Sequence, residues 1–278
     1  MTWLRELDPQ TALLDPTIQH GKADGLRASY SSAKPFPHVV IDNFLPDAVA
    51  ERCLREFPME SSAVLREHRH QARNRRIFAP DQLPAFSRQL FYTFNSAPFL
   101  GILENLTGIK GLIPDPFFHG GGLHEIGHGG HLSIHVDFVH HRALNLERRL
   151  NLLVYLNKDW DDDCGGQLEL WDGNMRHCIQ SITPVFNRCV ILKSSFDTNH
   201  GNPRPVDHPF MQPRRSMALY YYTATWNPLF RSLGAQYKVR PGSDDRVVPL
   251  RGARALVAGT LPTFALNWLR PVWQRCLS

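Results

Sequence analysis

The sequence predicts a mainly β protein with flanking helices, in which the strands form a sandwich or a barrel. From about residue 117, short apolar runs of strand length alternate with turns rich in Gly, Asp, Asn and Pro. No helical pattern intervenes between these runs, which favours an all-β core. Hydrophobic residues make up 42% of the 278 residues and charged residues 21%, a globular balance with ample material for a core.

The N-terminal third is predicted to mix helices with a strand. The β-branched run 39–41 favours a strand. Residues 48–57 have helical apolar spacing, and Asp47 is placed to cap that helix. The spacing of residues 84–106 predicts one further helix that ends before Gly108.

The stretch 63–80 is rich in Arg and His. Two interpretations are open: a solvated loop or helix, which we favour, or a basic lip that recruits an acidic substrate. The second predicts that charge reversal at Arg73, Arg75 and Arg76 raises the KM of the substrate.

Five apolar runs in the second half of the chain have the length of strands. They are residues 132–136, 150–156, 167–170, 185–192 and 217–223. The chain then becomes rich in Pro, Gly and Asp, which predicts an exposed loop. The apolar segment 253–273 contains Arg and Pro, so we expect a packed or surface-lying helical tail rather than an integral membrane segment.

Composition restricts the partners and the compartment. The formal net charge is only +5 and is not gathered in a tail, and no zinc-finger spacing or aromatic RNA-binding signature is present. We therefore expect no nucleic-acid partner. The five cysteines are odd in number and include no CxxC pair, which argues against a disulfide framework and favours a cytoplasmic protein. The N-terminus does not have the pattern of a signal peptide.

The key local feature is His135-Val136-Asp137. Residues two apart on a strand point to the same face, so the imidazole and the carboxylate can reach one point. His200 follows a strand-like run and is the best third ligand. Two histidines and one carboxylate on one face of an octahedron leave three positions open, which suits oxygen-activating Fe(II).

An ordered series of motifs surrounds these residues and makes the signal specific. It resembles the 2-oxoglutarate- and Fe(II)-dependent dioxygenases, in particular the prolyl-4-hydroxylase-like branch. The resemblance covers residues 123–223 and, more weakly, residues 35–44. Its motifs are His135-Val136-Asp137, residues 148–160 with the run Tyr155-Leu156-Asn157-Lys158-Asp159-Trp160, residues 165–170, residues 184–192, Asn199-His200, and Arg214-Arg215-Ser216 followed by residues 217–223.

The resemblance implies a double-stranded β-helix, or jelly-roll, core with helices around it. The chain would then be one domain: residues 1–114 as N-terminal support, 115–226 as the catalytic core, and 227–278 as loop and helical tail. The implied cofactors are Fe(II), 2-oxoglutarate and O2, with ascorbate as a stimulant. Since related halogenases lack the carboxylate ligand, Asp137 favours hydroxylation, with release of succinate and CO2.

The family binds the distal carboxylate of 2-oxoglutarate with a basic residue, and Arg214 and Arg215 compete for this role. Arginine suits it because its planar fork binds a carboxylate bidentately. Arg214 shares a strand face with Ser216 and matches the family pattern, so we favour this pair. Tyr155 matches a family position whose phenol contacts the same carboxylate. Where oxygen-sensing relatives carry a co-substrate-binding tyrosine, this chain aligns Glu125, to which no role is assigned.

The sequence thus predicts a dioxygenase that hydroxylates a peptidyl proline, a free amino acid or another small molecule. Two alternatives remain open at this point: a hydrolytic metalloenzyme with the same ligands, and a non-catalytic jelly-roll binding protein. The hydrolytic alternative gives no role to Arg214, Ser216 and Tyr155, and the intact triad of metal ligands argues against the binding protein. Six further histidines crowd the region, and we expect loop and supporting roles for them rather than a second metal. They are His119, His124, His128, His131, His140 and His141.

Overall fold

The computed structural model describes residues 2–18, 23–58, 63, 65–67, 70–225 and 236–246. Four helices lie in the first 107 residues, and thirteen strands pair within the described part of the chain. The helices are α1 (Asp24–Ser32), α2 (Asp47–Arg55), α3 (Ala85–Phe94) and α4 (Ala97–Thr107). The strands are β1 (His38–Ile41), β2 (Leu65–Glu67), β3 (Ala72–Phe78), β4 (Ile113–Pro114), β5 (Gly122–Val136), β6 (His140–His141), β7 (Leu146–Tyr155), β8 (Leu168–Trp171), β9 (Cys178–Ile182), β10 (Cys189–Lys193), β11 (Asn199–Asn202), β12 (Arg214–Thr223) and β13 (Gln236–Tyr237). The prediction of a mainly β protein with flanking helices is confirmed.

The strands pair antiparallel in the order β1-β10-β7-β12-β5-β11-β8-β9. The fifteen-residue strand β5 joins the two parts of this sheet, because its first half pairs with β12 and its second half with β11. Residues 127–130 separate these halves. A side chain at Gly130 would place its Cβ 2.7 Å from the carbonyl oxygen of Arg73, so the close approach of β3 requires glycine there.

Alternation along the strands separates two cores. On β7, Leu152 and Val154 face the helices and join a large apolar cluster with residues of α2, α3 and α4. Tyr155 faces the other side and packs with Leu170 and Val190 in the interior of the curled sheet. The helices therefore cover the outer face of the sheet, and the inner face is left for the functional groups.

Two local predictions about the N-terminal helices are wrong. Asp47 does not cap α2; Pro46 occupies the N-cap position, and the Asp47 carboxylate accepts a hydrogen bond from Asn187 instead. Residues 84–106 form two helices rather than one. Ser96 is extended and Pro98 stands in the first turn of α4, where its ring and missing N–H prevent continuation of α3. The end at Gly108 is confirmed by its left-handed conformation.

The Arg- and His-rich stretch is a strand hairpin where it is described, and not a loop or helix. Strand β2 pairs with β3, and β3 pairs in turn with β5, so the arginines are aligned with the main sheet. Their charges are compensated across the strands: Arg75 pairs with Glu67, and Arg76 pairs with Glu125. Period-two alternation was masked here by the long polar side chains.

Later boundaries also shift. The predicted strand 185–192 begins only at Cys189, because Asn187 adopts a left-handed turn (φ 61°) and its side chain bonds to the backbone of Leu45. The helical tail predicted over 253–273 lies outside the described residues. Within the described residues, no helix reaches the length and apolar character that crossing a bilayer requires.

Candidate metal centre

The three predicted metal ligands lie together at the inner face of the sheet. Strand register explains this, because His135 on β5 is the direct cross-strand partner of His200 on β11, and such partners point to the same face. The Nε2 atoms of His135 and His200 lie 3.5 and 3.4 Å from the two carboxylate oxygens of Asp137. Potential ligand atoms of all three residues lie within 4.8 Å of one another.

The backbone fixes which nitrogen of each imidazole can bind a metal. The Nδ1 atom of His135 lies 2.9 Å from the carbonyl oxygen of Ser133, and that of His200 lies 3.0 Å from the carbonyl oxygen of Thr198. A carbonyl oxygen only accepts hydrogen bonds, so each Nδ1 carries the proton and donates it. Each Nε2 therefore keeps a lone pair directed at the centre of the cluster, as metal-binding histidines require.

Two side chains that the sequence did not single out hold the carboxylate ligand. Arg148 donates from Nη2 to Asp137 Oδ2 over 3.0 Å, and Asn151 donates to the same oxygen over 2.6 Å. Arg148 also donates to Asn151 and lies 3.4 Å over the ring of Tyr220, so its guanidinium is fixed on several sides. Burial opposes ionisation of Asp137, but the charge of Arg148 outweighs it and holds the pKa of this carboxyl well below its usual range.

Arg214, Ser216 and Tyr155 form a second polar group on the inner face. Ser216 on β12 is the cross-strand partner of Tyr155 on β7, and Arg214 precedes Ser216 by two residues on the same face. The guanidinium carbon of Arg214 lies 4.9 Å from the centre of the Tyr155 ring. All three side chains are buried.

This group has unsatisfied polar capacity. Arg214 donates from Nε to the carbonyl oxygen of Gly166 over 2.7 Å, but no carboxylate of the described residues forms a salt bridge with it. The hydroxyl of Tyr155 is buried without a hydrogen-bond partner. Burial lowers the pKa of Arg214 and raises that of Tyr155. A buried cation beside an unused hydroxyl is a fitting receptor for a carboxylate.

Arg215, the competing residue, lies on the opposite face of β12. Its Nε donates to Glu125 over 2.9 Å, and Glu125 also accepts from Arg76. These three residues line an open pocket of about 620 Å³ on the outer side of the sheet, together with Phe57. Glu125 therefore serves an outer ion-pair cluster.

The inner residue next to Glu125 is His124, which the sequence did not single out for this site. It is the cross-strand partner of Ser216, so His124, Ser216 and Tyr155 form one row across three strands. Its Nε2 donates to the carbonyl oxygen of Gly120 over 3.0 Å, and its Nδ1 lies 3.4 Å from Arg75. Burial and Arg75 hold the pKa of His124 well below its usual value.

The other histidines do not form a second metal group within the described ranges, where His135, Asp137 and His200 are the one cluster of its kind. His131 and His140 bond to a backbone carbonyl and to Asn145. His141 lies 3.5 Å from the buried carboxylate of Asp115. These three histidines thus have local contacts of their own.

Comparison with known proteins identifies the domain that holds these residues. Residues 121–222 match the sequence model of the 2OG-Fe(II) oxygenase superfamily. This chain carries a 2OG-Fe(II) oxygenase domain. The matched residues contain the metal cluster, Tyr155, Arg214 and Ser216. Among curated proteins, none matches this sequence.

Solved structures support the same fold. A prolyl hydroxylase from Trichoplax adhaerens, in complex with a peptide fragment of the hypoxia inducible factor oxygen degradation domain, aligns with a TM-score of 0.52 and 17% identity over 75% of this chain and 95% of that chain. A Pseudomonas putida prolyl-4-hydroxylase aligns with a TM-score of 0.50 and 19% identity over 72% and 98%. At such low sequence identity, these structural alignments show the fold alone. The predicted jelly-roll core is confirmed.

The 2OG-Fe(II) oxygenase domain is an enzyme of the dioxygenase class and uses Fe(II), 2-oxoglutarate and O2. These predictions from the sequence are confirmed.

Proposed function

We propose that His135, Asp137 and His200 hold Fe(II), and that Arg214, Ser216 and Tyr155 bind the distal carboxylate of 2-oxoglutarate. The observation that carries this proposal is the buried, unpartnered hydroxyl of Tyr155 beside Arg214, in the same interior as the three ligand side chains. A dicarboxylate that reaches from the metal cluster to this pair satisfies both groups.

The residues fit iron on the chemistry of their donors. Two imidazole nitrogens with free lone pairs and one ionised carboxylate form the two-histidine, one-carboxylate set of non-haem Fe(II) oxygenases. Bound Fe(II) supplies the coupling of O2 reduction and 2-oxoglutarate decarboxylation to hydroxylation of a C–H bond, with succinate and CO2 as products. The protein keeps the carboxylate ionised through Arg148 and orients both imidazoles through backbone carbonyls.

At the other end, Arg214 neutralises and orients the co-substrate. Its Nε is occupied by the carbonyl oxygen of Gly166, which leaves its two terminal nitrogens to donate to a carboxylate. Tyr155 and Ser216 add hydroxyl donors from neighbouring strands. The apolar residues Leu170 and Val190 around Tyr155 keep water from this end, which strengthens each of these hydrogen bonds.

We further propose that the substrate is a prolyl or other amino-acid group, or a small molecule. The prolyl hydroxylases of similar fold support a peptidyl proline as the first substrate to test. Asp137 occupies the position that halogenases leave open, so the product is an alcohol. A hydrolytic enzyme with the same ligands has no use for the Arg214–Tyr155 pair.

The test is a screen for succinate formation from 2-oxoglutarate with Fe(II), across prolyl peptides, free amino acids and small acidic metabolites. Wild type and His131→Ala, which removes a histidine of the same strand outside the cluster, are expected to form succinate. His135→Ala is expected to form none above background. Equal turnover by His135→Ala ends the metal assignment. Hydrolysis that needs a metal but no 2-oxoglutarate supports the hydrolytic alternative.

A further inference from the structure

A short strand outside the family-matched residues lies against the metal-binding strand. Strand β13 pairs with the C-terminal half of β5, with Tyr237 opposite His135 and Gln236 opposite Val136. Because His135 also pairs with His200 on β11, β13 occupies the other edge of β5. The backbone N–H of Lys238 extends this pairing with a 2.8 Å hydrogen bond to the carbonyl oxygen of Ile134.

Register places Tyr237 on the face of the metal cluster. Directly paired residues of antiparallel strands point to the same side, so His200, His135 and Tyr237 form one lateral row across three strands. The ring centres of His135 and His200 are 4.8 Å apart, and those of His135 and Tyr237 are 5.6 Å apart with 39° between their planes. The imidazole of His135 is thus bracketed by His200 and the ring of Tyr237.

The segment that carries Tyr237 is fastened at further points. Arg240 donates from Nε to Asp245 over 2.7 Å, which closes the turn that follows β13. The side chain of Gln71 donates to the backbone carbonyl of Arg246 over 3.2 Å, next to the start of β3. The segment that carries the ring is therefore attached both to the edge of β5 and to the β2–β3 hairpin.

We propose that Tyr237 is a positioning residue of the metal centre. Its ring fixes the imidazole plane of His135, whose other restraint is the hydrogen bond from Nδ1 to Ser133. The inference rests on the proposed function in one respect, that His135 is a metal ligand. The active site is then completed by residues 236–246, which lie outside the matched region 121–222.

The contact predicts a defined loss. Aromatic ring pairs stabilise a structure enough to change an equilibrium constant by about threefold to tenfold. Without the ring, the imidazole of His135 samples more orientations. Fixing it in the metal-binding orientation then costs free energy, which lowers the affinity for the metal. The strand pairing itself uses backbone groups and survives a side-chain change at position 237.

The test uses Co(II) as the probe, with the full-length protein and the visible absorption of the bound ion as the readout. Tyr237→Ala is expected to weaken Co(II) binding about threefold to tenfold and to alter its visible spectrum. Tyr237→Phe keeps the ring and is expected to match wild type. Gln236→Ala is the matched control, because Gln236 lies on the same short strand and points to the opposite face.

Each other outcome has a meaning. Wild-type affinity and spectrum for Tyr237→Ala overturn the proposal, as does an equal loss in Gln236→Ala, which would assign the effect to docking of the strand. An equal loss in Tyr237→Phe would assign it to the hydroxyl and also overturn the role of the ring. If Tyr237→Ala does not fold, Tyr237→Leu keeps apolar volume and is expected to show the same loss. Undiminished Co(II) binding by His135→Ala instead refutes the proposed function.

Discussion

We call the interior of the curled sheet the inner chamber. Its metal end is formed by His135, Asp137 and His200, and its co-substrate end by Arg214, Ser216 and Tyr155. The two ends differ in whether their polar groups have hydrogen-bond partners. At the metal end, both imidazole Nδ1 atoms bond to backbone carbonyls, and Asp137 accepts from Arg148 and Asn151. At the co-substrate end, the buried hydroxyl of Tyr155 has no hydrogen-bond partner, and Arg214 donates to the carbonyl oxygen of Gly166 but to no carboxylate of the described residues.

The difference teaches what each end binds. A metal ion needs oriented lone pairs, which the protein can supply in advance by hydrogen bonds from the far side of each ligand. A carboxylate needs free donors, and burying those donors without a partner costs free energy that the co-substrate recovers on binding. The metal end is therefore preassembled, while the co-substrate end stores unsatisfied hydrogen-bonding capacity.

The largest expected effect concerns the two neighbouring arginines. Arg214→Met should raise the Kd of 2-oxoglutarate about 100-fold, since loss of one partner of a buried charge pair costs about 2–5 kcal/mol. Arg215→Met should leave that Kd nearly unchanged but lower the free energy of unfolding, because buried Glu125 loses a partner. Titration of 2-oxoglutarate into Ni(II)-loaded protein measures the first effect, and urea unfolding the second. The reverse ranking of the two Kd values would place Arg215 in the chamber.

At the metal end, Arg148→Met should reduce Fe(II) affinity about 10- to 100-fold, as is usual when a residue that supports a metal ligand is removed. The physical cause is that the Asp137 carboxylate loses its 3.0 Å hydrogen bond and its charged partner, and only Asn151 then holds it. Arg149→Met is the control, because Arg149 faces the other side of β7 and bonds to Thr223. Anaerobic Fe(II) titration gives both values. Equal affinity of the two variants would show that Asn151 alone holds the carboxylate.

The pH dependence of stability tests whether His124, on the inner face of the sheet, is neutral. Burial and Arg75 depress the pKa of His124 well below 6.5 in the folded protein. Between that folded pKa and pH 6.5, the unfolded chain therefore binds a proton at this histidine and the folded chain does not. The contribution to stability is complete above pH 6.5 and is lost as pH falls toward the folded pKa, by up to about 1.4 kcal/mol per pH unit. Metal-free urea unfolding from pH 7 to 5 should show a shallower decline for His124→Gln. The same slope in both proteins would contradict a neutral His124.

The smallest expected effects come from Tyr155→Phe, which should weaken 2-oxoglutarate binding but stabilise the protein without 2-oxoglutarate. Tyr155→Phe removes one donor to the carboxylate and should raise the Kd of 2-oxoglutarate about fivefold, near 1 kcal/mol. The same change removes a buried hydroxyl without a partner, so the protein without 2-oxoglutarate should become more stable by up to about 1 kcal/mol. Calorimetric titration and thermal unfolding separate the two. A less stable Tyr155→Phe protein would mean that the hydroxyl is satisfied before the co-substrate binds.

Much of the fold followed from patterns that are local in sequence. The β-rich second half needed only apolar runs of strand length between turn residues, and the strand at 39–41 needed only a β-branched run. The strands of the hairpin over 65–78 were not predicted, because arginines occupy both faces of β3 and conceal the alternation of buried and exposed residues. Asp47 fits the composition of a helix cap, but a tertiary contact with Asn187 took its carboxylate.

The candidate site divides in the same way. His135, Asp137, Arg214 and Ser216 could be found because two-residue spacing on a strand puts side chains on one face. His124, Arg148 and Asn151 could not, since nothing in their local sequence distinguishes an inward polar residue from an outward one. Tyr237 is more remote still, because it reaches His135 only through the pairing of two strands about 100 residues apart.

By itself, the sequence determined the chemistry of this protein: which side chains can bind a metal, which guanidinium shares a strand face with a hydroxyl, and the motif order of a 2OG-Fe(II) oxygenase. Only the tertiary structure decided what surrounds those groups, namely the arginine behind Asp137, the unpartnered Tyr155 hydroxyl and the tyrosine beside His135. The physical reason is that spacing along one strand fixes the direction of a side chain, whereas its neighbours are set by register between strands, which depends on the whole packed sheet.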